Sequence, residues 1–153
     1  MISFIKSENT IKTPNQSPKP GIIVMSRKGK GSNAERELVH LLWAKGIAAI
    51  RVAGSGSSKY PSPDILAGDI SRKFAIECKS IAADSKYFPK QEIEDLKIFA
   101  EKFGAEPWIG MRFARYEWLL LSLEDLRETA SSFVITKDMA KIKGLLLEEV
   151  LDK

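Results

Sequence analysis

Asp64, Glu77 and Lys79 are the residues of this chain whose types and spacing can do chemistry. Asp64 follows Pro63 and opens the apolar run Ile65-Leu66-Ala67. About a dozen residues later, Phe74-Ala75-Ile76-Glu77-Cys78-Lys79 alternates apolar with small or polar side chains. Gly68-Asp69 and Ser71 supply turn chemistry between the two runs, so the stretch reads as a β-hairpin carrying acids. Side chains of a strand point to opposite faces in turn, which puts Phe74, Ile76 and Cys78 on one face and Ala75, Glu77 and Lys79 on the other. Glu77 and Lys79 then stand side by side, roughly 7 Å apart at Cα. An ionised group costs several kcal/mol to desolvate unless it is paired or bound to metal, so both are expected at a cleft. Two carboxylates with the backbone carbonyl of Cys78 between them suit a hard cation such as Mg2+, which prefers oxygen and keeps several waters; Mn2+ takes similar ligands. Such a cation lowers the pKa of a bound water and neutralises charge on phosphate oxygens, and Lys79 is placed to orient that water. The same spacing also fits an exposed hairpin whose Glu77 and Lys79 merely pair, a contact worth about 0–1 kcal/mol.

The elements that must position these groups belong to a chain of 153 residues, enough for one domain with a sizeable core. A single cysteine, Cys78, excludes an intrachain disulfide, and with only one histidine a zinc site of the usual Cys/His kind is excluded too. No apolar run approaches the ~20 residues of a membrane span, and no signal-peptide pattern appears. A reduced, cytoplasmic, nucleoid-associated protein is the expectation. The net charge of +4 is unevenly distributed: residues 1–31 hold Lys6, Lys12, Lys19, Arg27, Lys28 and Lys30 against Glu8, a net +5, which leaves −1 for the rest. The basicity therefore lies in an arm. Its proline-bearing run Thr13-Pro14-Asn15-Gln16-Ser17-Pro18-Lys19-Pro20 predicts a disordered leader over 1–24, with a single domain over 25–153. The leader reads either as a phosphate-tracking arm or as a dispensable extension before Met25. Arg27-Lys28-Gly29-Lys30-Gly31 is the part assigned to DNA.

Ser32-Asn33-Ala34-Glu35 has the form of a capping box, and Ala34, Leu38, Leu41 and Leu42 recur at helical spacing until Gly46. Glu35 is either the box's glutamate or, three and seven residues before Leu38 and Leu42, an acid on the edge of the buried face aimed at the sheet. Ile47 to Ala53 reads as a first strand. The loop Gly54 to Pro63 follows, and its glycines and serines suit phosphate contacts, with Arg51 at its entrance; a plain flexible loop has a similar composition. Residues 84–89 read as a connector whose Tyr87 and Phe88 either plug the core or touch splayed bases. Lys90 to Lys102 reads as a helix with Ile93, Leu96, Ala100 and Phe103 inward and Glu92, Glu94, Asp95 and Glu101 outward. Two short strands follow, Pro107 to Phe113 and Glu117 to Leu121, then a helical turn from Ser122 to Asp125, a β-rich Phe133 to Thr136, and a short apolar helix over 145–151. This order implies an α/β fold with one mixed sheet flanked by helices.

Four motifs taken together carry a resemblance: Lys28 to Leu38, Arg51-Val52-Ala53-Gly54-Ser55-Gly56-Ser57, Pro63-Asp64-Ile65, and Ile76-Glu77-Cys78-Lys79. An acid, a spacer and Glu-x-Lys on the next strand is the pattern of Mg2+-dependent nucleases with the restriction-endonuclease-like fold. In this order and at this spacing the four motifs resemble the archaeal Holliday junction resolvase family, Hjc, from about Ser26 onward. The resemblance implies that fold, and a homodimer that cuts four-way DNA junctions with Mg2+ by paired symmetrical nicks leaving 5′-phosphate ends. It implies Glu35, Asp64 and Glu77 as metal-site acids beside the Cys78 carbonyl, Lys79 as the catalytic lysine and Ser55 as a loop serine needed for cleavage. Arg27, Lys28, Lys30, Arg36, Arg51 and Ser57 are then the DNA-holding positions. Apolar surface for the dimer is expected on the sixth strand and around Leu145 to Leu151. A sliding clamp or a branch-migration helicase fits as a protein partner. A related repair or restriction-type endonuclease and a non-catalytic junction-binding paralogue are the alternatives.

Overall fold

The computed structural model describes residues 27–153, except 55, 56, 58 and 115 and the side chains of 27, 28 and 30. The expected leader over 1–24 and Ser55 lie outside the described residues. A helix, α1 (Arg27–Ala44), leads into β1 (Ala48–Arg51), β2 (Ile65–Gly68) and β3 (Lys73–Ile81). Next come β4 (Ser85–Pro89), α2 (Lys90–Phe103), β5 (Glu106–Phe113) and β6 (Leu119–Leu121). The chain closes with a 3-10 turn (Leu123–Asp125), β7 (Arg127–Glu128), β8 (Ser132–Thr136), α3 (Lys137–Lys143) and α4 (Leu147–Leu151).

The main sheet has five strands in the order β1-β2-β3-β5-β6, with β3 and β5 parallel and the other neighbours antiparallel. The expected mixed sheet flanked by helices is what the chain forms. β2 and β3 are the expected hairpin, in register from Ile65↔Ile76 to Gly68↔Lys73. The period-2 pattern of β3 sorts its side chains as the alternation requires. Phe74, Ile76 and Cys78 face α1, where Leu38 and Leu42 are fully buried; Ala75 faces α2, with Ile93, Leu96 and Ala100. Burying each of those leucines is worth about 1.5–3 kcal/mol, and that fixes α1 on the sheet. Gly110 allows the close approach: a Cβ there would stand 3.3 Å from Ile76 Cγ2 and 3.5 Å from Leu38 Cδ2. Gly104 closes α2 in the left-handed region, at φ 75°, where its N–H donates to the helix's last carbonyls.

Several expectations need correction. The first helix begins at Arg27, so Ser32 and Asn33 lie inside it and form no capping box; the basic Arg27-to-Lys30 stretch is its first turn. The supposed connector at 84–89 is β4, because Phe88 is a core plug and the backbone pairs with β8 in a second, three-stranded sheet, β4-β8-β7. α3 was not foreseen; Thr136 caps it, its side chain accepting from the Met139 N–H at 3.2 Å. Val134, Ile135, Leu147 and Val150, expected to offer a dimer surface, are buried in the protomer's own core. Leu145 pairs with Leu120 instead of entering the last helix.

Candidate active site

Asp64 is the residue just before β2, and its backbone is held from both sides. Its carbonyl accepts from Val52 N–H at 2.8 Å and its own N–H donates to the Ile76 carbonyl at 3.1 Å. Its buried side chain reaches across to β3, where Oδ2 accepts from Cys78 N–H at 2.8 Å. The N–H and C=O of one extended residue point to the same strand edge, so the Cys78 carbonyl faces Asp64's side too, past the last β2–β3 pair.

Glu77 and Lys79 stand on the α2 face of β3, and Lys79 Nζ donates to Glu77 Oε1 at 2.8 Å. Lys79 has a second partner at 2.5 Å, Oε1 of Glu92. Glu92 is the third residue of α2, where a carboxylate also complements the positive end of the helix. Asp64, Glu77, Lys79, Glu92 and Asp95 line one cleft of ≈ 540 Å³, walled on its other side by Lys59 to Ser62. The Ser62 hydroxyl is buried there and has no hydrogen-bond partner among the described residues.

Negative charge exceeds positive charge in this cleft, and the acids respond. Burial, with the Asp64 carboxylate and a hydrogen bond to Glu92 added, pushes the Glu77 carboxyl up to about 8 although Lys79 opposes the rise. Burial alone would lower the Lys79 ammonium, but Glu77 and Glu92 outweigh it and hold it above the ordinary lysine range. Burial would likewise raise Glu92; the hydrogen bonds from Lys79 and Glu77 win and keep it low. Glu35 is raised by burial and then by Asp64, against the pull of Arg51 and Lys79.

The structure thus brings Asp64, Glu77 and Lys79 together as the sequence implied. Glu35 lies within the electrostatic reach of Asp64, but its Oε2 accepts from Arg51 Nη1 at 3.3 Å and it does not line the cleft. Among the described residues no three His, Cys, Asp or Glu side chains gather as a metal-binding group. What does gather is an oxygen donor set of Asp64, Glu77 and the Cys78 carbonyl, with an unpartnered hydroxyl on the same cleft. That set fits a hard divalent cation, which needs few protein ligands because it keeps its waters. Arg36 is exposed and donates to Asn33 Oδ1 at 3.0 Å; the Ser57 hydroxyl, also exposed, donates to the Gly54 carbonyl at 3.1 Å.

Sequence reasoning missed Glu92, which it had placed with Asp95 on an outward acidic face. A weak signal was present: Glu92 lies four and eight residues before the buried Leu96 and Ala100, on the edge of the inward face.

A mixed sheet carrying this cleft at the end of its β2–β3 hairpin defines a nuclease of the restriction-endonuclease-like fold. Residues 26–153 match the family described as archaeal Holliday junction resolvase (Hjc). The chain belongs to that family. It is 40% identical over 126 residues to the crossover junction endodeoxyribonuclease Hjc of Archaeoglobus fulgidus, covering 82% of this chain and 92% of that protein. It is 34% identical over 125 residues to the crossover junction endodeoxyribonuclease Hje of Saccharolobus solfataricus, covering 78% and 93%. The solved structure of the A. fulgidus Hjc, a Holliday junction resolvase from an archaeal hyperthermophile, superposes with a TM-score of 0.75 at 38% identity, over 78% of this chain and 97% of that one.

Proposed function

We propose that this chain resolves four-way DNA junctions by Mg2+-dependent hydrolysis of phosphodiesters near the branch point, leaving 5′-phosphate and 3′-hydroxyl ends. The observation that carries this reading is the convergence of Asp64, Glu77 and Lys79 on one cleft in a chain of this family. Asp64, Glu77 and the Cys78 carbonyl would hold the Mg2+, with Mn2+ as a substitute. Bound there, the ion supplies Lewis-acid chemistry, lowering the pKa of a water in its shell and neutralising charge on the phosphate. Lys79 presents its ammonium to the scissile phosphate, Ser55 is needed for cleavage, and Glu35 acts through Asp64 and Arg51. Arg27, Lys28, Lys30, Arg36, Arg51 and Ser57 hold the phosphate backbone, so affinity falls steeply with salt, each lost phosphate contact lowering the log–log slope by about 0.9.

A junction must be cut in two strands symmetrically to yield ligatable duplexes, which a two-fold homodimer with two clefts matches. A mostly apolar groove lined by Tyr60, Pro61, Ile98, Phe99, Lys102 and Phe103 adjoins the cleft, sharing Tyr60 and Pro61 with its wall. Phe99 and Phe103 stack there, and Phe103 also borders a second apolar hollow with the exposed Trp43 and Ile50. This continuous face is the homodimer surface of our reading. Among the described residues no helix is long and apolar enough to cross a membrane. The cytoplasm, at the nucleoid, is where such a substrate is met.

The test is cleavage of an end-labelled four-way junction beside its linear duplex arms, with Mg2+ or EDTA, for wild type and Asp64→Asn. Paired symmetrical nicks in the junction alone, lost with EDTA or the substitution, are expected. Equal cutting of linear duplex would replace the reading with a general endonuclease. Binding without any cut would replace it with a non-catalytic paralogue. A monomer at micromolar concentration in sedimentation would refute the dimer.

A further inference from the structure

Lys79 has two carboxylate partners, and only Glu77 belongs to the set that would hold metal. The two come from different elements: Glu77 from β3, two residues away on the same face, and Glu92 from the first turn of α2. Glu92 is fixed from below, because its neighbour Ile93 and then Leu96 are buried against the sheet. It is turned to the sheet side at Lys79 and lines the same cleft, whereas Glu94 on that helix is exposed. A lysine carries a flexible four-carbon stem, and one partner beside it on its own strand does not define where the ammonium stands. A glutamate occupied by a divalent cation is also a poorer acceptor for that ammonium. Resting on the function proposed above, we propose that Glu92 is the positioning residue for Lys79, holding its ammonium over the cleft from the helix side while Glu77 serves the metal. Glu92 itself touches neither the cation nor the phosphate in this role.

The test uses the full chain with Glu92→Gln, and Glu94→Gln as the control on the same helix. Single-turnover cutting of a four-way junction in Mg2+ should fall by about ten- to a hundredfold, the scale set by a misplaced catalytic group. Junction affinity in EDTA and Mg2+ affinity by calorimetry should stay at wild-type values. The Lys79 side-chain carbon resonance, assigned by its loss in Lys79→Met and read in EDTA, should shift, because Glu77 is then the one carboxylate left to it. Glu94→Gln should change none of these. An unmoved Lys79 resonance or an unchanged cutting rate overturns the proposal, and so does weakened Mg2+ affinity, which would make Glu92 a ligand. If Glu92→Gln melts below the assay temperature, Glu92→Asp keeps the charge on a shorter stem; a shifted resonance with slower cutting supports the role, and wild-type behaviour in both overturns it. A wild type that binds junctions without cutting sinks the proposed function alone, since the Lys79 resonance is read without metal.

Discussion

The two ends of β3 carry charged clusters of similar ingredients and opposite balance. At its start, Arg72 Nε and Nη2 donate to the two oxygens of Glu106 at 2.8 Å each, and Nη1 donates to the Val150 carbonyl at 2.7 Å. Its guanidinium lies over the Phe74 ring, and Trp108 Nε1 donates to Glu106 at 3.2 Å. One cation meets one anion with planar, two-point geometry. At the other end, Lys79 is shared by Glu77 and Glu92, with Asp64 beside them and Glu35 behind. The acids record the difference: hydrogen bonding from Arg72 holds the Glu106 carboxyl below its ordinary range, while burial pushes Glu77 up to about 8. The first cluster is closed and fastens the last helix to the sheet. The second lacks a positive charge, as a site waiting for a cation should.

Removing an acid from the unbalanced end should have the largest effect, and on activity. Asp64→Asn and Glu77→Gln should each lower junction cutting by about a hundredfold to a thousandfold while leaving junction affinity in EDTA intact. Loss of binding and cutting together would mean that these residues hold the fold, and would erase the contrast with the Arg72 end.

Arg72→Met should act the other way. It takes the guanidinium from Glu106, which is 42% exposed and keeps the Trp108 N–H, and frees the Val150 carbonyl, so urea unfolding should show a loss of about 1–2 kcal/mol. The cutting rate per folded molecule should not change. A slowed rate at full stability would show that the two ends of the strand are coupled.

The pH dependence of stability follows from the same two shifts, with opposite signs. Glu77 is raised from 4.5 to about 8, so its contribution is complete below its unfolded value and is lost as pH rises through that window. Glu106 is lowered, so its contribution is complete above 4.5 and is lost as pH falls below it. In EDTA the melting temperature should therefore decline by several degrees from about pH 5 to pH 8, a decline that Glu77→Gln or saturating Mg2+ removes. Arg72→Met should soften only the acid limb. A decline that persists in Glu77→Gln would move its origin to another group.

What the sequence made legible follows from range. The hairpin, both faces of β3 and the inward stripe of α2 as far as Ala100 were readable because alternation and helical period are local and their apolar sides are buried; Phe103, expected inward at the helix end, is 46% exposed. Asp64, Glu77 and Lys79 were readable for the same reason: they sit in the hairpin itself, at fixed offsets. Glu92 was not, because its partner Lys79 is thirteen positions away and a place on the edge of the inward stripe does not by itself separate a glutamate aimed at a cleft from one aimed at water. β4 was missed because Tyr87 and Phe88 show no period until β8, some fifty residues on, pairs with them. Ser32 misled for a comparable reason. A capping box states where a helix can start, and α1 had an earlier start available at Arg27.

The smallest effect should come from Lys90, which tests whether distance or environment separates the two kinds of cluster. Lys90 Nζ stands 2.8 Å from Glu128 Oε1, the same separation as Lys79 from Glu77. Its side chain is 42% exposed and that of Glu128 63%, against 23% and 13% for the cleft pair. Water screens the exposed pair, and ordering two long side chains costs entropy that offsets most of the attraction. Lys90→Met should change unfolding stability by about 0–1 kcal/mol and leave cutting unaltered, although Lys90 lies only two residues before Glu92. A loss of about 2 kcal/mol or more in urea unfolding would show that a bridge between α2 and the second sheet holds that helix in place. Exposure would then not be what divides the clusters, and the unbalanced charge at the cleft would stand as the sole difference.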